Sequence, residues 1–404
     1  MTILYITYDG LLDPLGSSQI LPYVKSISKH QDEVVVVSFE KYERLLQGKD
    51  TLLSELQSYS IKWKPLRFTK GLGLMGKFWD LSRMYLMSIM IAFKYNIEVV
   101  HARGHPPAQV GLFIKRISNA KFIFDFRGLW VDERVDKEGW NLDYLFHRIQ
   151  FRYFKRVERK LLMHSDHVVV LTHKVVDEVM KLGTIKKSRI TVIPCCADYN
   201  LFNLAINTHK IDSRISLDIP LDAFVLGYLG SAGKMYMLDE FFRLFIMATK
   251  VRKDCHAFVI TPDTERLKQL MDRYLKNGLS DKFHIRSSSH KEVPTLLPAM
   301  DLMVSFISPT YARMGASPTK IAECFASGIP VVANSGVGDV EQILDQLDGG
   351  WVVDPLSEDG LMKTIQNLDI IGTKGGRRLR DVSRPTLGLE FATKSYQSVY
   401  EKLV

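Results

Sequence analysis

The chain has 404 residues, 46% hydrophobic and 25% charged, with a formal net charge of +9. At ~100–200 residues per domain this length implies two or three domains, and the composition excludes a disordered or collagen-like chain. Four cysteines without C-x-x-C spacing exclude a disulfide scaffold and fit a reducing compartment.

From the N-terminus, "ILYITY", "VVVVSF", "VVHA", "KFIFDF" and "HVVVLT" read as buried strands separated by helical stretches. After the segment "VIPCCADYNLFN", the runs "FVLGYLG", "CHAFVIT", "KFHIRS", "DLMVSFI" and "PVVAN" repeat the scheme. Strands alternating with helices predict parallel sheets. The expected fold is therefore α/β, with two facing Rossmann-like domains: residues 1–192, a hinge and lead-in at 193–223, and residues 224–386. A last helix at 387–404 is free to pack back on the first domain. In such sheets ligands sit at the carboxyl ends of the strands, which places the expected chemistry in the cleft between the domains.

The opening "MTILYITYDG" lacks the basic region and cleavage site of a signal peptide. The longest apolar run, Met84 to Phe93, is about ten residues, short of the ~20 a spanning helix needs. A cytoplasmic protein is expected, at most resting on the inner face of the membrane. The charge excess lies wholly in residues 1–200, which hold 30 Lys/Arg against 21 Asp/Glu. Much of it falls in "HRIQFRYFKRVERKLLMH", a basic amphipathic helix that suits a solvated face, an anionic membrane or a nucleic acid.

Several loops carry polar groups. After the first strand, Gly16 with Ser17, Ser18 and Gln19 can bring backbone N–H groups to a phosphate, or form an ordinary turn. In the second half, Gly230, Ser231, Gly233 and Lys234 lie between a strand and a helix and can hold a diphosphate. His101, Arg103 and His105 end one strand; Asp125, Arg127, Trp130 and Glu133 follow the next. By the strand period of two, Asp125 and Arg127 share a side, as an ion pair or as a substrate-binding cluster.

The stretch "ASPTKIAECFASGIPVVANSGVGD" predicts a helix of about nine residues, with Ser317 as N-cap, Pro318 at its first position and Gly328 as its left-handed end. Lys320 and Glu323 fall on a polar front, as a surface i, i+3 pair or as ligand-binding groups. No metal-ligand spacing appears.

This stretch resembles the nucleotide-binding signature of retaining family 4 glycosyltransferases of the GT-B fold: P-x-K-x-x-E, then A-x-G-x-P-V-V, then a glycine-rich turn. The segments "DGLLDPLGSSQILPY", "HARGHPP", "FIFDFRGLWVDE", "VIPCCADYNLF" and "YLGSAGKMYMLDEFF" extend the resemblance over nearly the whole chain, and the N-terminal ones look like a bacterial subgroup that makes surface polysaccharides. It implies an acceptor-binding first domain and a nucleotide-sugar-binding second one. Glu323 would then accept hydrogen bonds from the donor ribose, with Ala316, Ser317, Pro318, Thr319 and Lys320 facing the diphosphate. Lys234 would neutralise that leaving group, with Gly16 opposite, and Asp125 would orient or deprotonate the acceptor hydroxyl beside His101, Arg103 and Arg127. It also implies a metal-independent reaction without a cofactor, and a carbohydrate or lipid-linked acceptor, with "LGLMGKFW" and "MYLMSIMIAF" as membrane contacts or core. The chain departs from the pattern at Gly315, where a glutamate is usual, and at neutral Ser231; backbone amides at 315–317 and Arg313 can stand in. A sugar-nucleotide 2-epimerase of the same fold and a non-catalytic nucleic-acid binder are the alternative readings.

Overall fold

The computed structural model describes residues 1–137, 139–205, 207–276 and 278–403. They divide into two compact units. Unit 1 comprises Met1–Pro194, the short segment Met314–Ala316 and the chain from Ala392 on; unit 2 comprises Cys195–Arg313 and Ser317–Phe391.

Unit 1 is built on strands β1 (Thr2–Thr7), β2 (Glu33–Glu40), β3 (Ile61–Arg67), β4 (Val99–Arg103), β5 (Lys121–Phe126), β6 (His167–Val170) and β7 (Ile190–Val192). They form one parallel sheet in the order β3-β2-β1-β4-β5-β6-β7. Unit 2 uses β8 (Phe224–Leu229), β9 (Cys255–Ile260), β10 (Phe283–Arg286), β11 (Leu302–Ser305), β12 (Val331–Asn334) and β13 (Gly350–Val353) in the parallel order β10-β9-β8-β11-β12-β13. Both sheets are Rossmann-like and covered by helices, the α/β class expected. The central strands are buried end to end, which is why they read as continuous apolar runs rather than alternating ones.

Three strands escape the sequence reading: β3, β7 and β13. Each is a sheet edge. β3 alternates Lys62 and Lys64 with apolar residues and carries Pro65, as an edge strand tolerates. β7 and β13 are only three and four residues long.

In both sheets the order reverses beside the first strand, at β1/β4 and at β8/β11. Diverging connections there leave a crevice at the strand ends, the usual place for a ligand. No helix among the described residues is long and apolar enough to cross a membrane.

Candidate active site

The two switch points present two polar clusters, each within one unit. In unit 2, β8 is followed by Gly230, whose φ of +134° suits glycine, and a Cβ there would lie 3.1 Å from the Lys320 ammonium. The loop that follows is pinned at several points. The Tyr228 hydroxyl donates to the Ser231 carbonyl at 2.6 Å and the Ala232 N–H to Asp263 at 2.7 Å. The N–H of Met237 meets the Phe306 carbonyl, and that of Ser308 meets the Met235 carbonyl. Gly233 lies in this loop at intermediate exposure, and Lys234 is exposed.

The signature helix runs Thr319–Ala326. It begins one residue later than expected: Pro318 is the N-cap, with no side-chain cap, and the Ser317 hydroxyl instead accepts the Cys195 N–H at 3.1 Å. Its end is as expected, at Gly328 with φ +75°. Every residue from Lys320 to Ala326 is buried, so the surface-pair reading of Lys320 and Glu323 does not hold. The helix is embedded because its C-terminal side packs on Gly376–Leu387, where Arg380 donates to the Ala326 carbonyl.

Lys320 is the most unusual charge in unit 2. Its Nζ lies 4.6 Å from the ring centres of both Tyr228 and Tyr236 and has no hydrogen-bond acceptor among the described residues. Burial brings its pKa down to about 8, against the weaker opposing effects of Cys324 and Glu323. One turn on, Glu323 is buried and pairs with His290 Nε2 at 3.0 Å. Arg313 is buried too; its N–H bonds the Thr310 carbonyl and its carbonyl accepts from Gly338 N–H. A desolvated cation, a carboxylate and a glycine-shaped approach thus converge at the end of β8. That combination can hold an anion and a hydroxyl-bearing group side by side.

In unit 1, Arg103 at the end of β4 faces Asp125 of β5 in register. Asp125 is fully buried, with Arg103 Nη1 at 3.5 Å, Arg127 Nη1 at 3.6 Å, His101 Nε2 at 3.6 Å and the Tyr396 hydroxyl at 3.5 Å. Burial alone would raise its carboxyl; Arg127, His101 and Arg103 outweigh burial and hold it well below the usual carboxylate range. A group held so far down is a poor proton acceptor. His101 is itself pushed down by burial, and its Nδ1 meets the Tyr400 hydroxyl at 2.6 Å. His105 belongs elsewhere: it bonds Glu158 at 2.8 Å and stacks on Trp130.

The Gly16 loop has a packing reason for its glycine. The helix starts at Pro14, and a Cβ on Gly16 would fall 1.8 Å from the Gly10 carbonyl oxygen. The loop is anchored by Glu40, which accepts the N–H groups of Leu11 at 2.7 Å and Leu12 at 3.2 Å. Tyr396, Tyr400, Tyr228, Tyr236 and His290 had no local signal in the sequence; only the fold brings them to these clusters.

Residues 20–201 match the family model "Glycosyltransferase Family 4", and residues 223–368 match "Glycosyl transferases group 1". This chain is a GT-B glycosyltransferase. No curated protein is significantly similar to it in sequence. Among solved structures this glycosyltransferase is similar to Alr3699/HepE of Anabaena, determined in complex with UDP and glucose, at 15% identity, TM-score 0.72 and 99% coverage of both chains. It is similar to a glycosyltransferase from Rickettsia africae at 17% identity and TM-score 0.71, covering 100% of this chain and 98% of that one. A third is WaaG, a glycosyltransferase involved in lipopolysaccharide biosynthesis, at 14% identity and TM-score 0.68, with 98% and 99% coverage. At such identities the likeness is one of fold. The matched families favour transfer over the epimerase and nucleic-acid readings.

Proposed function

We propose that this glycosyltransferase moves a sugar from a nucleoside diphosphate sugar to an alcohol acceptor with retention at the anomeric carbon, in the assembly of a cell-surface polysaccharide or glycolipid. The observation that carries the donor side is Lys320: an ammonium kept dry between two tyrosines, without an acceptor among the described residues, beside a glycine that lets a ligand approach. A diphosphate supplies the missing charge. Glu323, one helical turn away, accepts the ribose hydroxyls in exchange for its bond to His290.

The costly event is departure of the diphosphate as the glycosidic C–O bond breaks. Lys320, with Lys234, Arg313 and the backbone around Gly315–Thr319, stabilises the charge that develops on the leaving oxygen. The acceptor oxygen bonds the anomeric carbon, and its proton passes to the departing diphosphate. Asp125 acts as a positioning residue for Arg103, Arg127 and His101 on the acceptor side, and no metal is required in this scheme.

A thermal-shift panel of UDP, GDP, ADP and CDP with their common sugars tests the reading, with UDP first because a protein of this fold was determined with it. A ligand at 100 times its Kd adds about 2.7 kcal/mol to stability. One nucleotide should shift the wild type and fail to shift Glu323→Ala. No shift with any nucleotide overturns the donor assignment, and conversion of the donor to an epimer without acceptor overturns transfer.

A further inference from the structure

Glu323 is a buried carboxylate whose hydrogen-bond partner among the described residues is a single histidine. Its side chain is 8% exposed, and its Oε1 pairs with Nε2 of His290 at 3.0 Å. The cation of the same helix, Lys320, makes no hydrogen bond to it. A carboxylate this dry is costly without a donor, so in the ligand-free protein its compensation rests on the imidazole.

His290 reaches that carboxylate from a loop. The loop follows β10, a sheet edge, and closes on itself. Glu292 accepts the Ser289 N–H at 2.8 Å, the Ser289 hydroxyl at 2.7 Å and the Ser288 hydroxyl at 3.3 Å, while the Ser289 carbonyl accepts the N–H groups of Glu292 and Val293. Engaged in this way, Glu292 leaves the His290 ring to Glu323. On its other side the ring meets Phe202, with centroids 5.6 Å apart. Phe202 is buried, and Arg380 donates to the carbonyls of Tyr199 and Phe202 and to that of Ala326 at the end of the signature helix. The wall behind the imidazole is thus tied to the helix that carries Glu323. The imidazole itself is 18% exposed, more than the carboxylate it covers. All of these groups belong to unit 2. A partner needed only to bury Glu323 could lie in the core; this one is a loop side chain with a way out to solvent.

We infer that His290 is a latch on the ribose-binding carboxylate: it stands in for the ribose while the site is empty, yields to it when a nucleotide enters, and by closing again helps expel the nucleoside diphosphate after transfer. The inference rests on the reading of Glu323 as the ribose acceptor. The latch adds a cost to nucleotide binding that falls equally on substrate and product, since both carry the same ribose. A uniform cost of this kind leaves the chemical step alone and shortens the life of the product complex. A 2′,3′-dideoxy nucleotide has nothing to exchange and binds with the latch closed.

Calorimetric and stopped-flow titration of UDP, GDP, ADP and CDP and their 2′,3′-dideoxy counterparts tests this on the full chain, as wild type, His290→Ala, His290→Gln and Glu323→Ala. The ribonucleotide that binds the wild type should bind His290→Ala about tenfold tighter and leave it about tenfold more slowly, the worth of one hydrogen bond to a buried charge. Its dideoxy form should bind both proteins equally. His290→Gln keeps an N–H donor and should stay within about twofold of the wild type. Ligand-free His290→Ala should melt about 3–6 °C lower, yet match the wild type when saturated, because the bond it lacks is already broken in the complex. Independently of any variant, the His290 ring nitrogens of the wild type should shift in nitrogen-15 spectra with the ribonucleotide and stay in place with the dideoxy form. Affinity in His290→Ala equal to or below that of the wild type, an equal gain for the dideoxy form, or a ring unmoved by the ribonucleotide overturns the latch, while loss of binding in Glu323→Ala keeps the donor reading. Full binding by Glu323→Ala, or no binding of any nucleotide to the wild type, overturns the donor reading and the latch with it.

Discussion

Replacing Lys320 by methionine should make the ligand-free protein more stable while removing its grip on the donor. The native ammonium has its pKa brought from 10.5 to about 8, chiefly by burial. At about 1.4 kcal/mol per pH unit, that is a cost of about 3 kcal/mol for keeping the group charged at pH 7. The faces of Tyr228 and Tyr236 return about 1–2 kcal/mol by cation–π attraction. Methionine fills nearly the same volume without the charge, for a net gain of about 1–2 kcal/mol. For a domain of this size that is a rise of about 2–8 °C in melting temperature. The pH dependence carries its own sign. Because the folded pKa lies below the unfolded one, the penalty is complete below about pH 8 and eases above it, as the native lysine gives up its proton before the unfolded one does. By pH 9.5 the wild type should recover about 2 kcal/mol and close most of the gap. Thermal and urea unfolding of both proteins at pH 7 and 9.5 measures this, and the nucleotide panel repeated on the variant should give no shift. A variant less stable than wild type at pH 7, or a gap unchanged at pH 9.5, would refute the reasoning.

Other expectations follow from the same geometry. Gly230→Ala puts a methyl 3.1 Å from the Lys320 ammonium and strains a φ of +134°, so it should destabilise unit 2 by about 1–3 kcal/mol and weaken nucleotide binding at least tenfold, read by unfolding and by calorimetric titration. Asp125→Asn leaves Arg103 and Arg127 without their buried counter-charge and should cost about 3–5 kcal/mol; retention of wild-type stability would show that the cluster is not an ion-pair network. Because the Asp125 pKa is depressed, its contribution should be complete above about pH 4 and fade as pH falls through the folded value, a slope that the Asn variant should lack in acid unfolding. Tyr400→Phe removes the partner of His101 Nδ1 and should cost about 1–3 kcal/mol without altering the nucleotide-induced shift.

The central strands were legible because both faces are covered, so burial writes itself as an unbroken apolar run; the edges β3, β7 and β13 are short or carry lysines and a proline, and leave no such trace. The signature helix was found by its ends, Pro318 and Gly328. Its polar front looked like a solvent face because spacing alone does not report what packs over it. Lys320 and Glu323 are buried by segments distant in sequence, with the tyrosines of β8 and its loop over one and His290 beside the other. The pairing of Asp125 with Arg127 followed from the strand period, but Tyr396 lies 271 residues from the carboxylate it approaches, beyond any local pattern. Helix Gly73–Lys94 shows the limit of periodicity most plainly: "MYLMSIMIAF" is apolar all round, and only the fold separates Met84, Ser88 and Ile91 in the core from Leu86, Met90 and Phe93 outside it.

The two tyrosines that close over His101 and Asp125 have a consequence for how the chain is made. Unit 1 contains the beginning of the polypeptide, yet its buried charges receive Tyr396 and Tyr400 only from the segment after Ala392. On the ribosome, the β4–β5 strand ends of the first sheet emerge with that core unfinished, while the whole of unit 2 is synthesised before the segment that covers them arrives. At about 5–20 residues per second this is a wait of tens of seconds or less. During it Arg103, Asp125 and Arg127 keep access to water. The order of completion is therefore inverted relative to the order of synthesis: the second unit is free to finish first, and a released chain truncated after Phe391 should hold a nucleotide-competent unit 2 and a protease-sensitive unit 1.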